Sequence, residues 1–205
     1  MNFKELCEIN GIHLKPEHFE KLEIYKNLLK KWGRRINLTS VLSDREIELR
    51  HFLDSLLGLK AFKAFGLDIS KKSIADVGSG AGFPGVPLAV VIDSSDFDLI
   101  ESRHKRCVFL EQVKRELKLK NIKVICERVE NVDSFYNVLL MRAVKDPRNA
   151  VKIVKHLLKK GAVLCIYRGK GTFNEKMEGY FTQEIEIPVE GLNVRRRFLF
   201  IWRSD

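Results

Sequence analysis

Ser73-Ile74-Ala75-Asp76-Val77-Gly78-Ser79-Gly80-Ala81-Gly82-Phe83-Pro84-Gly85-Val86-Pro87-Leu88 decides how this chain folds. An apolar run with one acid breaks into residues 78–82, where glycine alternates with small residues, and a second apolar run follows. That order predicts a strand, a glycine loop and a helix. Glycine has no Cβ, so the chain can turn sharply there and bring its backbone close to a ligand. Pro84 or Pro87 suits the first turn of a helix, where a missing N–H costs nothing. In an open α/β sheet, ligands bind beyond the carboxyl ends of the strands, which is where this loop falls.

Two cofactor classes use such a loop. Gly80-x-Gly82-x-x-Gly85 matches the dinucleotide fingerprint, and Glu101 lies near the distance expected for a ribose-binding acid. That match alone is weak. Gly78-x-Gly80-x-Gly82 starts instead at the strand end, as in sites for S-adenosylmethionine, which carries a sulfonium cation and no pyrophosphate. Residues 73–101 hold the acids Asp76, Asp93, Asp96, Asp98 and Glu101 and no Lys or Arg. A segment without cations suits a sulfonium better than a pyrophosphate.

Outward from the loop, strands and helices alternate. Strands are expected at about 73–78, 97–101, 122–127, 137–141 and 162–167, with helices at about 85–92, 103–119 and 147–159 between them. Two late strands, about 183–189 and 198–202, have no long helix between them and predict an antiparallel return. Ahead of the sheet, helices are expected at 2–13, from Pro16 to about Lys31, and from about Ser43 to Phe65, with Trp32-Gly33 ending the second. The pattern is that of a class I methyltransferase: α/β, Rossmann-like, with a mostly parallel seven-stranded sheet. Residues 1–70 are expected to be a helical extension packed on a single domain of residues 71–205. A dehydrogenase would need a further catalytic domain, and few residues remain for one.

At 205 residues and 45% hydrophobic, the chain can bury a sizeable core. No apolar run reaches a membrane span, and the start, Met1-Asn2-Phe3-Lys4-Glu5, does not resemble a secretory signal. Cys7, Cys107, Cys126 and Cys165 are far apart and read as buried reduced thiols, neither a disulfide framework nor zinc ligands. The expectation is a cytoplasmic, metal-free monomer. The formal net charge of +10 is unevenly spread. Arg142 to Lys170 is strongly basic, beside the acidic glycine-loop segment. A basic belt around an acidic pocket predicts a polyanionic partner and a separate small cofactor. Arg34, Arg35, His51, Arg168, Lys170, Arg195, Arg196 and Arg197 are the candidate RNA contacts.

Glu101 ends a strand, where a carboxylate can accept both hydroxyls of a ribose; it also stands at a helix start, where an acid is favoured in any case. Val129 and Glu130 follow the third strand, in place to meet an adenine ring and its amino group. Arg142 ends the fourth strand and can hold a carboxylate or a phosphate in a bidentate fork, positioning a reactant. His51 and Asp54 share a helical face, and a structural bond between them is the favoured reading over a catalytic pair. The turn after the fourth strand, Met141-Arg142-Ala143-Val144, lacks the polar residue and prolines of amino-methylating enzymes. No cysteine nucleophile is expected at the rim. What remains is an acceptor that is already nucleophilic, such as guanine N7, and no catalytic base is required.

The chain resembles the bacterial small-subunit rRNA guanine-N7 methyltransferases, the RsmG or GidB family. The likeness rests on Asn37-Leu38-Thr39-Ser40, His51-Phe52-Leu53-Asp54-Ser55-Leu56, the stretch Asp76 to Ala89, Glu101-Ser102-x-x-Lys105-Arg106-x-x-Phe109-Leu110 and Arg142-Ala143. The resemblance implies S-adenosylmethionine as donor and a guanine in the 530 loop of 16S rRNA as acceptor, within a small-subunit particle. It also implies cofactor contacts from Gly78, Phe83, Glu101, Val129, Glu130 and Arg142; Gly80, in the same glycine loop, is a further candidate. The chain departs from the family at Tyr167-Arg168-Gly169-Lys170, where Leu-Lys-Gly is frequent. The rival readings are an NAD-linked oxidoreductase and a non-catalytic RNA-binding assembly factor.

Overall fold

The computed structural model describes residues 1–36, 38, 43–169, 171, 173 and 175–204, with residues 34–36 described by their backbone alone. Arg34 and Arg35 as side chains, the Asn37-to-Ser40 loop apart from Leu38, and Lys170 therefore lie outside what is described below.

Among the described residues, seven strands form one sheet in the order β3-β2-β1-β4-β5-β7-β6. They are β1 (Ser73–Val77), β2 (Asp96–Ile100), β3 (Ile122–Ile125), β4 (Val138–Arg142), β5 (Val163–Arg168), β6 (Tyr180–Val189) and β7 (Val194–Arg203). β1 pairs in parallel with β2 on one side and with β4 on the other. The chain order thus reverses between β1 and β4, the switch point where an open sheet leaves a crevice. β7 returns antiparallel beside β5, as the missing helix after β6 predicts. β6 and β7 are longer than the sequence suggested, because ten residue pairs match across them.

Alternate residues along each central strand enter different cores. Ile74, Val138, Leu140 and Cys165 join a large cluster with Tyr25, Phe52 and Phe62 from the helices ahead of the sheet and Phe109 from the helix after β2. Ala75, Leu139 and Leu164 join a smaller one with Ala150, Val151 and Val154. The helices are α1 (Phe3–Ile9), α2 (Pro16–Ile36), α3 (Asp44–Ile47), α4 (Asp54–Phe65), α5 (Gly85–Val91), α6 (His104–Glu116) and α7 (Pro147–Val154). α1 starts in a reciprocal cap between Asn2 and Glu5, which satisfies two otherwise orphaned N–H groups. Its end is tied to the β6–β7 turn, where Asn10 both donates to and accepts from Glu190.

Two helix expectations need correction. α2 does not stop at Trp32-Gly33 but runs on to Ile36. Trp32 packs on Phe109 with ring centroids 5.8 Å apart, and such packing outweighs the roughly 1 kcal/mol that an interior glycine costs a helix. The helix expected through Phe65 is interrupted at Glu48–Leu53 by a π-helical turn. That turn carries Arg50, His51 and Phe52 towards the sheet; π-turns of this kind recur at functional sites. Among the described residues, no helix is long and apolar enough to cross a membrane.

Candidate active site

The loop after β1 takes the conformation that its glycines permit. Gly78, Gly80 and Gly82 have φ of 71°, 61° and 94°, in the left-handed region that costs an L side chain about 1–2 kcal/mol. A Cβ on Gly78 would meet nothing within 4 Å, so open space adjoins the backbone there. A Cβ on Gly85 would come within 2.7 Å of Asp76 Oδ2 and 2.6 Å of Leu99. Gly85 is thus required for the close approach of α5 to β1.

Asp76, which the sequence marked only as one of several acids, holds this turn. Its carboxylate is fully buried; Oδ2 accepts from Gly85 N at 2.9 Å and from Ser79 Oγ at 3.0 Å. Oδ1 is buried with no hydrogen-bond partner among the described residues. Burial pushes its pKa up to about 6 against the lowering effect of those two donors. Tyr25 of α2 lies in the helix that the sequence predicts from Pro16 and carries no signal of its own there. It is buried, and its hydroxyl donates to the carbonyl of Ala81, so a helix ahead of the sheet braces the glycine loop.

Glu101 follows β2 and is buried. Oε2 accepts from Gly80 N at 3.0 Å, Oε1 accepts from Arg103 N at 2.8 Å beside the start of α6, and Arg106 lies 3.5 Å away. Both sequence readings of this acid therefore meet in one residue. It serves the helix start, and each oxygen keeps a further lone pair for a ligand. Gly78, Glu101, Val129 and Glu130 line one cavity of about 260 Å³, together with Ile100, Ser102 and Glu127. The cavity lies at the carboxyl ends of β1, β2 and β3, and its charged lining is three glutamates against Arg128. Gly80 contributes through its bond to Glu101.

Phe83 and Arg142 do not line that cavity. The Phe83 ring is buried and stacks on His51 at 4.4 Å and beside Tyr25 at 5.4 Å. The loop turns that ring under α2 and the π-turn, so a contact from Phe83 to a cofactor falls to its backbone in the glycine loop. Arg142 ends β4 just before Ala143, a non-glycine residue with φ of 58°. Its Nη2 donates to Arg50 O at 2.6 Å and lies 3.4 Å from both His51 Nδ1 and Asp54 Oδ2. Nη1 is buried without a hydrogen-bond partner among the described residues. The guanidinium stands 6.0 Å from the Phe83 centroid. Arg142 thus sits between the expected His51 and Asp54 partners. Burial, and then the Arg142 charge, lower the His51 pKa to about 4, so the imidazole is neutral at pH 7.

Arg142 faces a larger cavity, of about 1400 Å³, lined also by Arg50, Asp54, Tyr167, Arg168 and Arg196. The two cavities flank the end of β4, with Met141 on one side and Arg142 on the other. Arg195-Arg196-Arg197, candidate RNA contacts in the sequence, are all ion-paired. They lie near the start of β7, where the register sets Arg197 directly opposite Glu186 of β6. Arg195 lies 2.6 Å from Glu186, Arg197 2.5 Å from Glu186, and Arg196 2.5 Å from Asp54. Arg168, at the end of β5, lies 3.2 Å from Glu184 and packs over Phe173.

The cysteine expectation holds for two residues and fails for two. Cys7 and Cys165 are buried free thiols, and burial pushes the Cys7 pKa up to about 12. Cys107 and Cys126 form a disulfide with Cα atoms 5.7 Å apart. β3 stops at Ile125, so Cys126 lies beyond the strand and is exposed. A sequence separation of 19 residues gives no sign that adjacent strands bring β3's end beside the first turn of α6.

Solved structures with the same architecture include magnesium protoporphyrin IX methyltransferase ChlM from Synechocystis PCC 6803 with bound SAM. It is 13% identical with a TM-score of 0.59, covering 88% of this chain and 97% of that one. A second is a putative rRNA-methylase from Clostridium thermocellum, 12% identical with a TM-score of 0.51, covering 73% and 96%. At such identities the likeness shows the fold, a class I methyltransferase sheet. Sequence relatives are nearer. Ribosomal RNA small subunit methyltransferase G of Aquifex aeolicus is 38% identical over 186 residues, 90% of this chain and 92% of that protein. The protein of the same name from Carboxydothermus hydrogenoformans is 34% identical over 80% of this chain and 71% of its own length. That from Clostridium perfringens strain 13 is 41% identical over 128 residues, 62% of this chain and 52% of its own length. The sequence model of GidB, described as rRNA small subunit methyltransferase G, matches residues 18–192, and the chain belongs to that family.

Proposed function

We propose that this chain transfers the methyl group of S-adenosylmethionine to N7 of a guanine in the 530 loop of 16S rRNA. Family membership supports methyl transfer to small-subunit rRNA. The observation that carries the cofactor assignment is the smaller cavity, which gathers Gly78, Glu101, Val129 and Glu130 at the switch point of the sheet. Open space beside Gly78 and a net acidic lining fit the group. Bound there, S-adenosylmethionine supplies an electrophilic methyl on a sulfonium. Glu101 would accept from the ribose hydroxyls, Glu130 from the adenine amino group, and Val129 would give apolar contact. Residues 1–70 would act as a helical extension that braces the domain of residues 71–205, through contacts such as Tyr25 to Ala81.

Guanine N7 offers an in-plane lone pair and carries no proton to remove. The chain's task is then to orient the acceptor and exclude water. His51, the nearest candidate base, is neutral and stacked on Phe83. Its pKa near 4 places its titration well below neutrality. Single-turnover methylation at saturating RNA should therefore be nearly independent of pH between about 6.5 and 8.5. A steep rise over that range that disappears in His51→Asn would overturn the base-free mechanism.

The proposed function is tested by mass mapping of 16S rRNA from strains with and without the gene. One methylguanine in the 530 loop, lost with the gene, is expected; an unchanged map or a different nucleotide sinks the reading. For RNA docking, Arg195 is the most exposed arginine of its triplet, with a side chain 65% accessible. Arg195→Ala should lower the slope of log affinity against log salt by somewhat under 1 unit. Unchanged affinity and slope would remove this part of β7 from the footprint.

A further inference from the structure

The disulfide lies between two chain segments that wall the smaller cavity. Glu101 and Ser102 form one part of its wall, immediately ahead of α6 and Cys107. Glu127, Arg128, Val129 and Glu130 form another part, immediately after Cys126. The last backbone tie between these two chain segments is Glu101 N to Ile125 O, at 3.0 Å. Beyond it, residues 126–128 and 130 are exposed and only Val129 is partly buried. Val129 packs on the smaller core and His156 lies 3.1 Å from its carbonyl oxygen, while the wall's other bonds are local: Asn131 donates to Glu127 at 3.0 Å, and Asn131 N and Val132 N close a turn on Arg128 O and Val129 O.

We propose that Cys107 and Cys126 are a reversible thiol–disulfide pair whose bridge locks the wall of residues 127–130 onto the start of α6 and so tightens S-adenosylmethionine binding. The inference rests on placing the cofactor in the smaller cavity. Cys126 is exposed and Cys107 only 4% accessible, which sets the order of events. The Cys126 thiolate attacks a low-molecular-weight disulfide and releases one thiolate. The Cys107 thiolate then attacks the Cys126 sulfur of the mixed disulfide and releases the second. Two electrons pass from the protein's two thiols to the reagent, and the two protons end on the released thiols. Exposure of the bridge at Cys126 leaves it open to the reverse exchange. Holding the wall in its binding conformation removes an ordering cost that the reduced protein meets on binding.

The test is calorimetric titration with S-adenosylmethionine in oxidised and in reduced glutathione, with alkylation and mass analysis to count free thiols. The bridged wild type should bind about tenfold more tightly than the reduced protein. Cys126→Ser, at an exposed position, should give the reduced value in both buffers. Equal affinities for fully bridged and fully reduced wild type would overturn the proposal, as would failure of the bridge to form in oxidised glutathione. Glu101→Gln separates the two readings. Weaker binding in that variant without a redox difference in the wild type removes the thiol pair alone. Unchanged binding in Glu101→Gln removes the placement of the cofactor, and this inference with it.

Discussion

Gly78→Val is expected to weaken S-adenosylmethionine binding by at least about 100-fold, some 2.7 kcal/mol, in a protein that still folds. Two effects act at this position, and they separate experimentally. The φ of 71° strains any L side chain, and that strain lowers thermal stability by a few degrees whatever the ligand does. The side chain itself meets no protein atom within 4 Å, so its volume falls in the space assigned to the cofactor. Gly78→Ala shares much of the strain and adds less volume, and should lie between wild type and valine in affinity. The hydrogen bond from Gly78 N to Ile100 O, 2.9 Å, does not involve the side chain and should persist. A folded Gly78→Val protein with wild-type affinity in calorimetry would place the cofactor elsewhere.

The sheet was legible because its signals are local. Apolar runs, punctuating glycines and the absence of a helix after β6 were enough to predict seven strands and the antiparallel return. That four of the expected site residues line one cavity was legible for a related reason. Gly78, Glu101, Val129 and Glu130 each follow the end of a strand, and a parallel sheet brings its carboxyl ends together whatever the packing behind them. The direction of the Phe83 ring was not legible, because nothing local says which way a ring points from a tight loop. Its direction depends on Tyr25 and His51, dozens of residues earlier in the chain. Tyr25 was hidden in an ordinary amphipathic pattern, since helical spacing does not distinguish a core ring from one whose hydroxyl holds a loop. Asp76 did carry a signal: an acid inside an otherwise apolar strand, three residues before Ser79, has no solvent and must find donors in the turn. The ion pairs of Arg195-Arg196-Arg197 were not legible, because the partners Glu184, Glu186 and Asp54 are set by strand pairing and by a helix far away in sequence.

Arg142→Ala should lower the single-turnover rate at saturating S-adenosylmethionine and RNA by about 10²–10³-fold, the usual cost of losing one preorganised charged donor. The side chain is fixed before any ligand arrives: Nη2 is held by Arg50 O at 2.6 Å and stands near Asp54 and His51. That leaves Nη1, buried and unpartnered among the described residues, at the rim of the larger cavity. A donor so placed, on the side of β4 away from the smaller cavity, is suited to orient the acceptor nucleotide. S-adenosylmethionine affinity should accordingly change less than the rate, by under about tenfold. Arg142→Lys should recover little, since a single ammonium cannot hold the Arg50 carbonyl and present a second donor in a fixed fork. The variant carries its own structural control. The Arg142 charge is one of the causes that lower the His51 pKa, after burial. Removing it favours the protonated imidazole, so the His51 titration followed by NMR should move up from about 4 towards the ordinary value. An upward-shifted His51 with an undiminished rate would show that the side chain was removed as designed and that Arg142 does not position a reactant. A lowered rate with an equal or greater loss of S-adenosylmethionine affinity would move the residue from the acceptor to the cofactor.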